Sequence, residues 1–362
     1  WTELPKVDFD NAYYAVADRD RVYFASSADY QIYALDAASG AVRWRFFVNA
    51  PVRLAPTLAG DKLFVGCDDG NVYCLKASDG TLLWSHTAAI DSRQVLGNGH
   101  VVSMWPVRTS ILVEGERVWC GAGVFPHHKT LVMALDARSG EVIWQNDSIN
   151  NYGGFSPQGY LLAHGARLLV PSGRAPPVCL DTNTGEMVFS IPTSSGKGVV
   201  GGCYGTVVDG SLFVGTQGTV YGFSLDTGKP HGRWQEAEQL VATQKHYFVL
   251  KGSPPPAYGR RPTTGNQDAV TCYDRGVIVA ANRRDANTLT QAQRWQFARN
   301  DLEALIATGS GIVLGGNSEV LQLDEQGAVQ WQAPVEGRAV GLAVAHGQLI
   351  VSTTSGSIHC FA

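Results

Sequence analysis

No apolar run in this chain approaches 18 residues, so the sequence holds no transmembrane helix. It has no adjacent cysteines and no CxxC, and its cysteine count of seven is odd. A disulfide framework and a cysteine-built metal site are therefore both excluded as organising devices. Excess positive charge is also lacking. A net charge of -4 over 362 residues gives no footprint for general nucleic-acid binding. No signal peptide opens the chain, and a start at Trp1, in mid-repeat, is expected of a mature or excised product. The missing signal thus leaves the compartment open.

Glycine is abundant, with 41 residues, and hydrophobic residues make up 44%. Their arrangement is periodic. Gln31–Trp44, QIYALDAASGAVRW, alternates as a strand through Asp36, turns on Asp36–Gly40, and places Trp44 on the following strand. The phrase returns as VYCLKASDGTLLW, VMALDARSGEVIW, VCLDTNTGEMVF, VYGFSLDTGKPHGRW and LQLDEQGAVQW. A degenerate copy, VTCYDR, leads to Trp295, and a half-copy, SIHCFA, ends the chain. The closing aromatics are Trp44, Trp84, Trp144, Phe189, Trp234, Trp295 and Trp331. A second phrase, a tight turn and an apolar pair, precedes each copy, as in AGDKLF, EGERVW and HGQLI.

Repeats of four short antiparallel strands are the signature of a β-propeller. The expected fold is all-β: one domain over 1–362, an eight-bladed propeller of four-stranded blades a to d, with an N-terminal strand near Trp1 closing the last blade. Closure removes an open sheet edge. The repeat A-x-D-x-x-[ST]-G-x-x-x-W resembles that of the PQQ-like (quinoprotein-type) propellers. That family holds both PQQ-dependent alcohol dehydrogenases and BamB-like non-enzymatic members of the bacterial cell envelope. The resemblance covers the whole chain and speaks for fold more than for function. It implies a periplasmic or otherwise extracytoplasmic location.

The cysteines fit the repeat. Cys74, Cys179, Cys272 and Cys360 occupy the slot of Ala34 and Ala134, where a small buried side chain is expected, and Cys120 aligns with Val65. Cys67 lies in a hairpin tip and Cys203 before an inner strand.

The long connections, 85–104, 122–130, 145–156, 172–177, 190–200 and 252–268, are all d–a links or b–c turns, which emerge on one face above blades two to six. Loops on a rigid scaffold carry function, so the site is expected there. The sixth repeat also has an enlarged c–d link, RDANTL. Arg93, Lys129, Arg174 and Arg260 lie on the long connections. Arg53 and Arg108, each in a PVR tripeptide entering an inner strand, lie toward the axis. The short loops bring acids, among them Asp68, Asp69, Glu236 and Glu238. Guanidinium groups match carboxylate and phosphate geometry, so the mouth is a candidate anion site. The same arginines equally suit pinning of neighbouring loops, and the sequence leaves both readings open. Trp105, His100, His127 and His128 complete the candidate ligand-binding set. Two adjacent histidines do not share one metal easily and have no partner at ligand spacing, so no metal site is expected.

The expected function is a non-catalytic scaffold offering its loop face to a protein partner or an anionic small molecule or glycan, with no nucleic acid. The alternative is an enzyme, a lyase or hydrolase acting on an anionic sugar at the mouth, or further off a PQQ-dependent dehydrogenase. Enzymes of the latter kind carry a vicinal cysteine pair and an aspartate base with calcium ligands. The pair is missing here, so neither PQQ nor calcium is expected.

Overall fold

The computed structural model describes residues 14–97, 99–149, 154–172, 175–191, 205–216, 218–251, 268–281 and 286–362. The aspartate turns form as their chemistry requires. Asp36 Oδ1 accepts from the Ser39 amide at 2.8 Å, and Gly40, at φ +70°, closes the turn by donating to the Asp36 carbonyl. Asp136 with Ser139 and Asp181 with Thr184 repeat the arrangement. Each turn leads an outer strand back along strand c with a bulge just after the small slot residue, between Ala34 and Leu35 in the first repeat. The slot therefore faces the aromatic: Ala34 pairs with Trp44, Cys74 with Trp84, Ala134 with Trp144, Cys179 with Phe189 and Cys272 with Trp295.

That aromatic joins one blade to the next. Trp44 Nε1 donates to Ala77 O at 3.0 Å, Trp84 to Ala137 O at 3.2 Å and Trp144 to Thr182 O at 3.0 Å. All three acceptors lie in the c–d turn of the following repeat. The turn glycine of that repeat lies flat on the ring, and a Cβ on Gly140 would come within 2.6 Å of Trp84. Glycine is thus required both by φ and by space.

Described strands make six four-stranded sheets with sequential order, each antiparallel, at 16–47, 57–87, 112–146, 162–190, 205–235 and 239–298. A seventh sheet has six strands: Ala304–Thr308, Gly311–Gly315, Asn317–Leu323, Val329–Ala345, Gln348–Thr353 and Ile358–Phe361. Among the described residues the propeller therefore has seven blades, not the eight expected. The seventh and eighth repeats share one sheet because their connection has no loop. The 17-residue strand Val329–Ala345 pairs with Asn317–Leu323 in its first part and with Gln348–Thr353 in its second. Inner strands pack side by side, and Val329–Ala345 reaches back to Val16–Ala17 of the first blade. The expected closing strand near Trp1 lies outside the described residues.

One further expectation needs correction, and one link is larger than its sequence phrase. Cys74, Cys120, Cys179 and Cys272 are fully buried, but Cys360 is exposed: it pairs with Ile350 on one side and no described strand covers the other. The c–d link of the sixth repeat is a pair of short helices, Arg275–Ala281 and Ala286–Ala292. Ile278 and Ala292 pack in one cluster with Trp234, where other repeats set a turn glycine on the preceding ring. No helix among the described residues is long and apolar enough to cross a membrane.

Candidate functional site on the loop face

The D-G hairpin of the second blade, Cys67–Gly70, is gripped by both PVR segments. The Asp68 amide donates to Pro51 O at 2.9 Å, and the Val107 amide donates to Cys67 O at 3.0 Å. This grip brings both arginines onto one carboxylate. Arg53 Nε donates to Asp68 Oδ2 at 2.5 Å, while Arg108 donates through Nε and Nη2, each at 3.0 Å. Asp68 is only 1% exposed. A carboxylate this deep needs charged partners, and the fork of Arg108 supplies bidentate geometry. The set carries one net positive charge. Beside it, the buried Cys67 donates to Ala50 O at 3.2 Å, and burial, with Asp69 nearby, pushes its thiol well above the usual range. Cys67 is therefore an inert thiol, not a nucleophile.

The link 85–104 contains a hairpin outside every blade, Gln94–Gly97 with His100–Ser103. Ser103 N donates to Asp68 O at 2.8 Å and Met104 N to Arg93 O at 2.9 Å, which fixes its base. The Arg93 guanidinium stacks over Trp105 at 4.9 Å, and Trp105 Nε1 donates to His128 O at 2.9 Å. Tyr30 OH meets His100 Nδ1 at 2.5 Å. Strand alternation then buries Val102 and turns Val101 outward opposite Leu96. Leu96 is 83% exposed and Val101 51%, an apolar pair held up in solvent.

Most of the anticipated residues are thereby brought together. Arg53 and Arg108 meet at Asp68, while Arg93, His100, Trp105 and His128 brace the hairpin. Trp105 is buried, so it supports the face from below. His127, His128 and Lys129 are exposed on the 3-10 turn that follows Phe125, and Lys129 pairs with Asp147 at 3.0 Å. Arg93 also pairs with Asp91 at 2.9 Å. The carboxylates met by Arg53, Arg93, Arg108 and Lys129 all belong to the protein itself. Arg174 and Arg260 lie outside the described residues. The sequence reading missed the hairpin and its Leu96–Val101 pair. The signal was present in QVLGNGHVVS, two apolar stretches around a glycine turn, which a hairpin template detects.

Across the same face, blades six and seven gather acids. Glu238 precedes the inner strand Gln239–Ala242. Its backbone passes so close to Gly215 that a Cβ there would lie 2.1 Å from the Glu238 carbonyl oxygen. Burial, then Asp268 and Glu303, pushes the Glu238 carboxyl up to about 7. Burial also raises Glu303, which Arg338 meets at 3.2 Å. A carboxyl whose native value exceeds its unfolded value holds extra proton in the native state, so stability falls as pH rises from the ordinary carboxylate range through about 7. Glu238 is half-buried, which trims the full conversion to about 1–2 kcal/mol. Urea unfolding at a series of pH values is expected to show that loss in the wild type and not in Glu238→Gln; parallel profiles would refute the assignment.

A family model described as outer membrane protein assembly factor BamB matches residues 1–118 and 128–362. Over 141 residues the chain is 30% identical to a polyvinylalcohol dehydrogenase of a Pseudomonas species, a stretch covering 38% of the chain and 20% of that protein. Over a stretch of 141 residues it is 26% identical to outer membrane protein assembly factor BamB of Yersinia pestis, covering 37% of the chain and 33% of that protein. The matched stretches thus span a third or less of these relatives. Among solved structures, BamB from Moraxella catarrhalis superposes with a TM-score of 0.62 at 18% identity, covering 97% of this chain and 94% of the other. The quinohemoprotein alcohol dehydrogenase of Comamonas testosteroni does so with a TM-score of 0.66 at 12% identity, covering 93% and 69%. At these identities the likeness is one of fold.

The dehydrogenases raise the question of a quinone and calcium. Among the described residues no three His, Cys, Asp or Glu side chains are grouped to hold a metal ion, and the described cysteines stand apart as free thiols. The described residues do not fit that pair.

Proposed function

Because the chain belongs to the family of outer membrane protein assembly factor BamB, we propose that it is a non-catalytic propeller that docks a protein partner on its loop face, outside the cytoplasm, through the hairpin Gln94–Ser103. The carrying observation is the apolar pair Leu96–Val101, exposed on a hairpin that belongs to no blade yet is fixed at its base. Exposed apolar side chains cost solvation, and a hairpin braced by a stacked arginine, a buried tryptophan and a tyrosine presents them without an ordering penalty on binding. Among the described residues each hairpin strand pairs only with the other. Apart from the Ser103 amide, which donates to Asp68 O, their outer edges are placed to receive an extended segment of the partner, with Leu96 and Val101 reading its side chains.

Affinity capture from detergent-solubilised cell envelope tests this reading. The protein recovered by the wild type is expected to bind the double variant Leu96→Asp/Val101→Asp at least ~10-fold more weakly, the scale of losing an apolar anchor. The melting temperature should stay unchanged, because both side chains are already in solvent. Equal capture by the two proteins would sink the hairpin as the docking element.

A further inference from the structure

A cavity of about 230 Å³ lies among the inner strands of blades five to seven. Its walls are largely apolar, with Phe213, Leu240, Leu305 and Leu342 among them, and Glu238 stands in its lining. Two of the other polar side chains in the lining are engaged. Thr206 Oγ1 donates to Leu240 O at 2.9 Å, and Gln239 accepts from Leu305 N at 3.0 Å. Glu238 differs: its Oε1 is buried and has no hydrogen-bond partner among the described residues. The charges that act on it, Asp268 at the start of strand Ala269–Asp274 and Glu303 before strand Ala304–Thr308, have its own sign. Asp301 adds to the negative field at Glu303, and the nearby Arg338 is turned to Glu303.

An apolar chamber with one unmet carboxyl oxygen and a surplus of acid around it has a definite complement. We propose that this cavity binds a primary ammonium group carried on a short apolar stem, with Glu238 accepting from the ammonium and the leucine and phenylalanine walls enclosing the stem. An anion is disfavoured by Asp268 and Glu303, and a neutral alcohol leaves the carboxylate unpaired in charge. The site is separate from the docking hairpin and does not depend on it.

Calorimetric titration with n-butylammonium chloride tests the site, with n-butanol as the neutral control. Ammonium binding requires the ionised carboxylate. Affinity should therefore rise by about tenfold from pH 6 to pH 8, as a group titrating near 7 becomes ionised, while n-butanol binds weakly and without pH dependence. Glu238→Gln keeps the side-chain shape and should lose at least ~10-fold in affinity at pH 8, the scale of one charge-assisted hydrogen bond, together with the pH slope. Ile306→Phe, which fills the cavity and leaves Glu238 in place, should abolish binding. Nα-acetyl-lysinamide, used as a second probe, separates a polypeptide lysine from a free amine by which of the two ammonium ligands binds more tightly; either order supports the site. Butylammonium binding that is equal at both pH values, unchanged in Glu238→Gln, or matched by n-butanol would overturn the proposal.

Discussion

Asp68→Ala is expected to destabilise the protein by about 3–5 kcal/mol, the cost of leaving buried charge without its counter-charge. The carboxylate is 1% exposed and holds two guanidinium groups. Its removal takes the shared carboxylate from Arg53 and Arg108, whose side-chain exposures are only 10% and 21%. Like charges then face each other where water reaches poorly. Asp68 also closes the tip at which blade two meets the two PVR segments, so the damage falls on an inter-blade joint. Against a typical total stability of about 5–15 kcal/mol this is a large fraction. Arg108→Ala should cost less than Asp68→Ala, because Arg53 stays on the carboxylate. Urea unfolding followed by tryptophan fluorescence measures both. The competing role for these arginines, capture of an anionic ligand, predicts the reverse pattern: Arg108→Ala would keep its stability and lose protection by added acidic sugar. A cost below about 1 kcal/mol for Asp68→Ala, the range of an exposed pair, would refute the clamp.

The repeat was legible because each part answers a local need. An aspartate turn needs its serine or threonine and its glycine, and a slot residue opposite a tryptophan must be small. The strand Gln31–Asp36 and the Ala34–Trp44 pair stand where the sequence puts them. Partnerships across blades were not legible in the same way. PVR at 51–53 and 106–108 announces two arginines at one end of two inner strands, yet nothing local says that Asp68 lies between them. That depends on how far one blade is rotated from the next. Blade number failed for a related reason. Counting phrases counts repeats, whereas sheets are counted by hydrogen bonds, and Val329–Ala345 runs from one repeat into the next with only Gly337 at positive φ to mark the passage. The helices at 275–292 were hidden because VIVAA reads as an apolar run that suits strand or helix equally until its packing on Trp234 decides. The hairpin Gln94–Ser103 lies within one long link, although its period of two is visible there.

The inter-blade rivet supplies the other large effect. Trp84 is 8% exposed, packs at 5.8 Å from Phe64, donates to Ala137 O and carries Gly140 on its face. Trp84→Ala is expected to cost about 3–5 kcal/mol, the range for emptying a large aromatic site, with the lost hydrogen bond leaving a buried carbonyl in need of water. Gly140→Val attacks the same joint from the other blade. Its φ of +74° excludes a β-branched residue, and the added Cβ would fall 2.6 Å from the ring. Left-handed strain and overpacking together are expected to cost about 2–5 kcal/mol. The two changes share one volume, so they should not add. With the indole gone, the valine enters the space it vacated, and only the backbone strain of the second change persists. The double variant Trp84→Ala/Gly140→Val is therefore expected to be more stable than the sum of the single losses by about 1–3 kcal/mol, measured as a coupling energy in a double-mutant cycle. Strict additivity would mean that ring and glycine act independently, and that the tryptophan stabilises its own blade without joining it to the next.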